Sequence, residues 1–447
     1  MTTLSSPFAR RVAGVFATRV AQFVIGFANS FLLARLLGPA GRGAYYLVTL
    51  TPSTIFSLGQ FGLPSAISFF SGKGRSTRSM LVTSLVTGLV LAGVLLAGTW
   101  LLLPWLEENV LQAAPSDLVR IALISLPFQF VAAFAGSMLI GRQILRNYNV
   151  ILVSQSVLAL TLTIVVVGAL GLGVAGAVVA NLAVAVAGAL AVLVESRRVT
   201  RSDPSAHESP VHPGELLSYG LKLYPASVTS FFSYRADVYL LGWLLADPVA
   251  IGLYSLAVSM AELTFFVPDS VSTVFFPRIA GAERVSANEM APMVCRFTVL
   301  ITILSAIGLI PVAYAAVYLI LPAFSGSLPA FLVILPGVVA LSVSKILSSY
   351  ISGLGLPTPI AITSSGALVL NVVANIALIP RFGIVGSSAA SLISYSAHAT
   401  VLVAISTRLS NRPFHAFVVP GRGEWRRLLT GLTELFSRAR SLARRAA

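Results

Sequence analysis

The chain has 447 residues, 56% of them hydrophobic and only 10% charged, with a mean hydropathy of +0.90. That leaves too little polar surface for a water-soluble globule of this length, so the composition specifies an integral membrane protein. The formal net charge of +15 does not point to nucleic acid, because the arginines fall in short runs between apolar segments, as they do in cytoplasmic loops.

Arg10 and Arg11 precede the first apolar stretch, as in a signal peptide, but that stretch continues to Leu37 and is too long for a signal-peptide core. It is read as a retained first span. Breaks at charged, Gly and Pro clusters then define twelve candidate spans, near 11–37, 43–70, 79–103, 117–141, 149–170, 173–194, 216–245, 249–276, 292–321, 328–351, 358–379 and 383–407. None alternates polar and apolar residues as a barrel strand would. Lys73, Arg75 and Arg78, Arg142 and Arg146, Arg197, Arg198 and Arg201, and Arg278 and Arg284 fall in loops of one side. The other side has mainly Arg42 and Arg381, with Glu107, Glu108 and Asp117 in one loop. By the positive-inside rule both termini are cytoplasmic, which requires an even number of spans.

The spans carry polar stripes. In the first, Arg19, Gln22, Gly26 and Asn29 share one helical face; in the seventh, Ser227, Ser230, Tyr234 and Asp237 do so. The eighth has Ser255, Ser259, Glu262 and Asp269 on one face, and the eleventh has Ser364, Asn371 and Asn375. Intramembrane charge faces a bundle interior or a wet cavity, so these faces are expected to point inward. Arg19 and Glu262 lie deep in their spans, whereas Arg35, Lys222 and Lys345 are placed to snorkel. Arg235 and Asp237 are two residues apart, point to different sides of one helix and need separate partners. Glu262 is either a counter-ion of Arg19 or Arg235, or a group that takes part in transport. His398, a lone histidine on an apolar face, is read as a packing or helix-to-helix hydrogen-bonding residue and not a proton relay. Pro225 and Pro268 sit inside the seventh and eighth spans and are hinge candidates, with a static kink as the alternative.

Two echoes divide the chain. Pro39 and Pro248, Gly43 and Gly252, Tyr45 and Tyr254, and Leu47 and Leu256 are each 209 positions apart. Gly173 and Gly383, and Gly176 and Gly386, are 210 apart. A common spacing argues for a duplicated six-span unit, a parallel repeat about an axis along the membrane normal. The expected organisation is an N-terminal six-helix bundle over 1–196, a cytoplasmic linker over 197–215, a second bundle over 216–407 and a cytoplasmic tail over 408–447. In that tail "EWRRLLTGLTELFSRARSLARRAA" separates Trp425, Leu428, Leu432 and Leu435 from a basic face, a pattern expected to lie on anionic lipid, with a partner protein as the rival.

Cys295, the one cysteine, permits no internal disulfide and has no ligand cluster beside it, so neither a metal site nor a cofactor is expected. No phosphate-cradling glycine loop followed by lysine is present, which argues against direct use of ATP. No catalytic residues are assigned: Glu107 and Glu108 are the one pair of outer carboxylates, and a solvated loop accounts for them.

"LLARLLGPAGRGAYYL", "FGLPSAI" and above all "GLGLPTPIAITSSGALVLNVVANIALIPRFGIVGSSAAS" resemble the polysaccharide transporter family of oligosaccharide flippases, within the superfamily of multidrug and oligosaccharidyl-lipid exporters. The matching pieces are Gly353 to Pro357, Asn371, Asn375, Ile379–Pro380 and Gly383 to Gly386, and the likeness covers essentially the whole chain. It implies an all-α polytopic fold of two six-helix bundles in a V around a central cavity. It also implies transport of a polyprenyl-(pyro)phosphate-linked glycan from the inner to the outer leaflet of the cytoplasmic membrane.

The resemblance further implies a cationic cavity, to which Arg19 and Arg235 are assigned. Arginine's planar fork of donors suits a phosphate; Asn29, Asn371 and Asn375 are the candidates for sugar contacts, and Gln22 is a further substrate-binding candidate. Asp237, Glu262 and Asp269 depart from a plain cationic cavity and are candidates for coupling to protons or sodium ions, as in drug exporters of the same superfamily. The expected partners are the polyprenyl-linked glycan, anionic lipid at the tail and enzymes of polysaccharide assembly, with no nucleic acid and a monomeric chain. A cation-coupled multidrug exporter and a membrane enzyme of polysaccharide assembly are the alternatives.

Overall fold

The computed structural model describes residues 7–73, 75–202 and 210–419; the side chains of 7–17, 19, 223, 226 and 277 fall outside that description. The described residues form helices and turns, with no strand among them. In chain order the helices are α1 (Pro7–Gly59), α2 (Leu63–Gly72), α3 (Thr77–Asn109), α4 (Ser116–Leu123), α5 (Leu126–Gly141), α6 (Leu145–Leu162) and α7 (Gly173–Ser202). They continue with α8 (Pro213–Leu245), α9 (Pro248–Glu262), α10 (Phe266–Ala280), α11 (Arg284–Ala315), α12 (Ser327–Gly353), α13 (Pro357–Ser410) and α14 (His415–Val418).

Every predicted span lies on one or more of these helices. Among the described residues, nine helical segments are long and apolar enough to cross a membrane. Two of the nine are each broken by a left-handed glycine, Gly38 (φ 66°) in α1 and Gly383 (φ 56°) in α13, and so hold two predicted spans apiece. α8, with Lys222, Arg235 and Asp237, is 33 residues long. At 1.5 Å per residue it reaches about 50 Å, ample for a hydrocarbon core of about 30 Å. The chain is therefore an all-α, multi-pass membrane protein. Its outward surface agrees: Leu101 is 83% and Val94 65% exposed on α3, which lipid tolerates and water would penalise.

The sharp reversal at Gly38 explains the first echo. Its backbone (φ 66°, ψ 179°) lies in a region essentially restricted to glycine, and Pro39 starts the next helix where a missing N–H costs nothing. The second copy reaches the same turn with other residues. Ala246 ends α8 in the left-handed region, Asp247 Oδ1 accepts from the Val249 N–H, and Pro248 opens α9. The second echo is a matched pair of left-handed glycines, Gly173 at φ 54° and Gly383 at φ 56°.

The chain folds as two compact units. The first comprises Met1–Ala257, Ala316–Leu328 and Asn375–Ser387, and the second Val258–Ala315, Pro329–Ala374 and Ser388–Ala447. The core of the first has Leu63, Ile67 and Met80 packed with Phe130, Phe134 and Met138 of α5. In the second, Phe275 and Ile279 of α10 meet Cys295 of α11, Ile346 and Tyr350 of α12 and Phe417 of α14.

Charged residues of the first unit form two separate groups. Arg75 pairs with Glu215 at 3.3 Å, and Arg142 donates to the Arg75 carbonyl at 2.6 Å and to Thr77 Oγ1. Arg120 instead meets Glu107 at 3.6 Å and Asp117 at 3.3 Å, the acidic group expected on the opposite side. Pro225 lies within α8, which continues helically through it; Pro268 lies in the first turn of α10, after a 3-10 turn at Leu263–Phe265. The basic tail beyond residue 419 lies outside the described residues.

Candidate functional site

A cluster of buried polar contacts in the first unit lies where the two echo segments meet. α1, restarted at Pro39, and α9, started at Pro248, approach so closely that Gly43 and Gly252 have no room for a side chain. A Cβ on Gly43 would fall 1.8 Å from the Pro248 carbonyl oxygen, and one on Gly252 would fall 1.9 Å from that of Pro39. The two contacts are reciprocal between residues that the echo pairs. Glycine stands there because two backbones touch.

Beside this crossing is a buried arginine that was expected to be a loop charge. Arg42 is 5% exposed, since the turn at Gly38 is so short that Arg42 already lies in the helix that follows. Its Nε donates to Ser255 Oγ at 2.9 Å, Nη1 to the Ser30 carbonyl at 2.8 Å and Nη2 to Ser30 Oγ at 3.1 Å. One guanidinium thus ties the first span, the second and α9 together, which a planar fork of donors does and a single ammonium does not.

Asp237 and Tyr254 continue the polar belt. Both are buried, and the Tyr254 hydroxyl donates a short hydrogen bond to Asp237 Oδ2. Two residues along α8, the Tyr239 hydroxyl meets Thr54 Oγ1 at 2.6 Å. Tyr45, the echo partner of Tyr254, accepts from Asn181 Nδ2 at 3.4 Å. Asp237 therefore has a partner other than Arg235, as the two-residue spacing required.

The remaining expected site residues are distributed as follows. Gln22 and Asn29 are half-buried in α1, and Asn29 Oδ1 is buried without a hydrogen-bond partner among the described residues. Arg19 is on α1 by its backbone, but its side chain lies outside the described set. Arg235 is half-buried and its Nη1 lies 3.4 Å from the Tyr234 carbonyl. All of these belong to the first unit. Glu262, half-buried at the end of α9, belongs to the second, as does Asp269.

Asp269 is paired with Lys345. The Lys345 Nζ lies 2.5 Å from Asp269 Oδ1 and 4.0 Å from the centre of the Phe265 ring. Lys345 is thus held between a carboxylate and an aromatic face, and the snorkelling expected of it is replaced by a defined contact.

Asn371 and Asn375 are buried in α13 and engaged across the Gly383 reversal. Asn371 Nδ2 donates to Ser394 Oγ at 3.2 Å and to Ser391 Oγ at 3.5 Å, while Ser387 Oγ donates to Asn375 Oδ1 at 2.8 Å. Ser364 and His398 lie 3.4 Å apart in the same hairpin, the hydrogen-bonding role expected of that histidine. Replacing Asn375 by leucine should lower stability by about 1 kcal/mol, the scale of hydrogen bonds between membrane helices. Thermal unfolding of the purified variant in detergent checks this.

Arg42, Tyr254 and Lys345 were not among the site residues expected from sequence. For Arg42 the available signal was its place one residue before Gly43, within an echo; for Lys345 it was the serine-rich "LSVSKILSS" around it.

Among solved structures, the chain is similar to the lipid II flippase MurJ in an inward closed conformation, at a TM-score of 0.70 and 15% identity, covering 90% of this chain and 89% of that one. It is also similar to an inward-facing multidrug resistance MATE family transporter of the MOP superfamily, with a TM-score of 0.67, 17% identity and coverage of 87% and 95%. A third is a MOP superfamily transporter from Pyrococcus furiosus, at 0.57 and 16%, covering 90% and 96%. At these identities the likeness establishes a shared fold and nothing finer. No curated protein matches the chain. The family model described as polysaccharide biosynthesis protein matches residues 10–283, more than half the length, and so the chain belongs to the polysaccharide biosynthesis protein family.

Proposed function

We propose that the protein is a flippase that carries a polyprenyl-(pyro)phosphate-linked oligosaccharide, a precursor of cell-surface polysaccharide, from the inner to the outer leaflet by alternating access. The carrying observation is a polysaccharide-assembly family joined to a transporter fold. A chain in the service of glycan assembly and composed mainly of membrane spans is suited to move the lipid-linked intermediate, and no catalytic role is assigned to it. In this reading the six-span repeats 1–196 and 216–407 rock about the linker 197–215, Pro225 and Pro268 absorb the bending, and one monomer suffices.

Arg19 and Arg235 hold the anionic head group, with Gln22 in the same substrate path and Asn29 beside the sugars; Asn371 and Asn375 would reach a sugar only by exchanging the serine contacts that now bury them. The protein sits in the cytoplasmic membrane with both termini inside, its tail on anionic lipid within reach of assembly enzymes. Translocation of a fluorescent lipid-linked oligosaccharide into the outer leaflet of proteoliposomes should fall at least about tenfold in Arg19→Ala and in Arg235→Ala, the worth of one charge-assisted contact.

A second reading, a proton- or sodium-coupled multidrug exporter, is favoured by the buried carboxylate of Asp237 and its short bond from Tyr254. It requires ion-driven export of small cations that fails in Asp237→Asn or Glu262→Ala, with no glycan movement by the wild type. That result would displace the flippase reading.

A further inference from the structure

Within the second unit, α10 and α12 meet through Asp269 and Lys345, and the two halves of this ion pair are unequally covered. The Lys345 side chain is 17% exposed, fixed on one side by the Phe265 ring, whereas the Asp269 side chain is 49% exposed. A half-exposed carboxylate in a membrane span faces water or head groups and not acyl chains, because hydrocarbon would not accept it. The pair therefore opens to a polar surface on its acidic side, while the ammonium behind it is held in place.

That asymmetry separates two roles. A purely structural ion pair gains from covering both charges; this one covers only the cation. A carboxylate this exposed gains little from its pairing, so exchanging it for another anion costs little. Asp269 meets Lys345 through Oδ1. Ser348 and Ser349, one turn further along α12, are partly exposed, and Ser349 Oγ donates to the Lys345 carbonyl at 3.1 Å. A phosphate carries more charge and more acceptor oxygens than a carboxylate, and so competes with Asp269 for the same ammonium.

We propose that Lys345 is a phosphate-binding residue and that Asp269 is a displaceable internal stand-in for the phosphate, released when the ligand's oxygen takes its place between α10 and α12. The choice of phosphate over another anion rests on the flippase reading. Its source is either the diphosphate of a polyprenyl-linked sugar or the head group of a membrane phospholipid.

The test uses the full chain in neutral detergent, with thermal unfolding to show that each variant is folded. Binding of a polyprenyl diphosphate and of phosphatidylglycerol is measured separately for the wild type, Asp269→Asn, Lys345→Met and Lys345→Arg. A displaceable stand-in gives changes of opposite sign: Asp269→Asn binds the diphosphate more tightly by about fivefold to tenfold, and Lys345→Met more weakly by about tenfold, a change of about 1.4 kcal/mol. Lys345→Arg keeps the cation and retains binding. If Asp269→Asn and Lys345→Met weaken binding together, or neither moves it, the pair is structural and the inference is overturned, even where the wild type still translocates lipid-linked glycan. Opposite changes for phosphatidylglycerol alone would support a phosphate at Lys345 while counting against the flippase reading.

Discussion

Gly43→Ala and Gly252→Ala should each cost most of the folded protein. The added methyl meets main chain in both cases: at Gly43 the Pro248 oxygen at 1.8 Å and the Gly252 nitrogen at 2.8 Å, at Gly252 the Pro39 oxygen at 1.9 Å and the Gly43 nitrogen at 3.1 Å. No rotamer change relieves such a contact, so α1 and α9 must move apart by more than an ångström, carrying the buried neighbours Leu47, Val48 and Ile251 with them. Overpacking usually costs about 1–3 kcal/mol, and a clash confined to backbone belongs at or above the top of that range. Small residues at such a crossing are what permits two membrane helices to touch.

The yield of monodisperse protein after detergent extraction, with its unfolding temperature, measures the effect. Gly26→Ala and Gly366→Ala are the controls: nothing lies within 4 Å of a Cβ at either. Both are helical, so alanine there should be neutral or stabilising by up to about 1 kcal/mol. Because the two damaging changes disrupt one shared contact, the double variant should cost less than their sum.

Arg42→Lys should be more damaging than Arg42→Met. Conservation of charge suggests the reverse order, but geometry decides. Lysine keeps the buried charge while reaching one of the three acceptors, Ser30 O, Ser30 Oγ and Ser255 Oγ, that the guanidinium now satisfies. Under-satisfying a buried cation costs about 3 kcal/mol, more than the hydrogen bonds alone. Methionine loses the same bonds but no longer requires a charge to be kept out of water, and it is close to arginine's stem in length. Its expected cost is about 1 kcal/mol, on the scale of hydrogen bonds between membrane helices. Thermal unfolding in detergent ranks the two. Should methionine prove the worse, the positive charge itself is required at the crossing.

The spans and their reversals were legible because hydropathy is strong and Gly–Pro punctuation is local. Gly38–Pro39, Ala246–Pro248 and Gly383 all break helices where the sequence placed a break. The polar contacts were less legible, for a specific reason. Arg42 stands beside a turn, and a charge count assigns such a residue to the loop; that Ser255 faces it from 213 positions away has no local signature. Lys345 likewise lies near a helix end, where snorkelling is the ordinary expectation, and only packing of α10 on α12 supplies Asp269 and Phe265. The serines opposite Asn371 and Asn375 were visible as a run at Ser387, Ser388, Ser391 and Ser394, but pairing them required knowing that α13 folds back on itself at Gly383.

The reciprocity at Gly43 and Gly252 has a consequence for symmetry. A contact in which Pro39 meets Gly252 as Pro248 meets Gly43 has the self-complementary form of a two-fold interface, held here within one chain. Within one chain the neighbouring positions need not match. Arg42 corresponds through the 209-residue offset to Ile251, and Ser255 to Tyr46. The guanidinium clasp thus has no mirror image: Arg42 and two of its three acceptors, both on Ser30, lie on one side of the crossing, and Ser255 alone answers from the other.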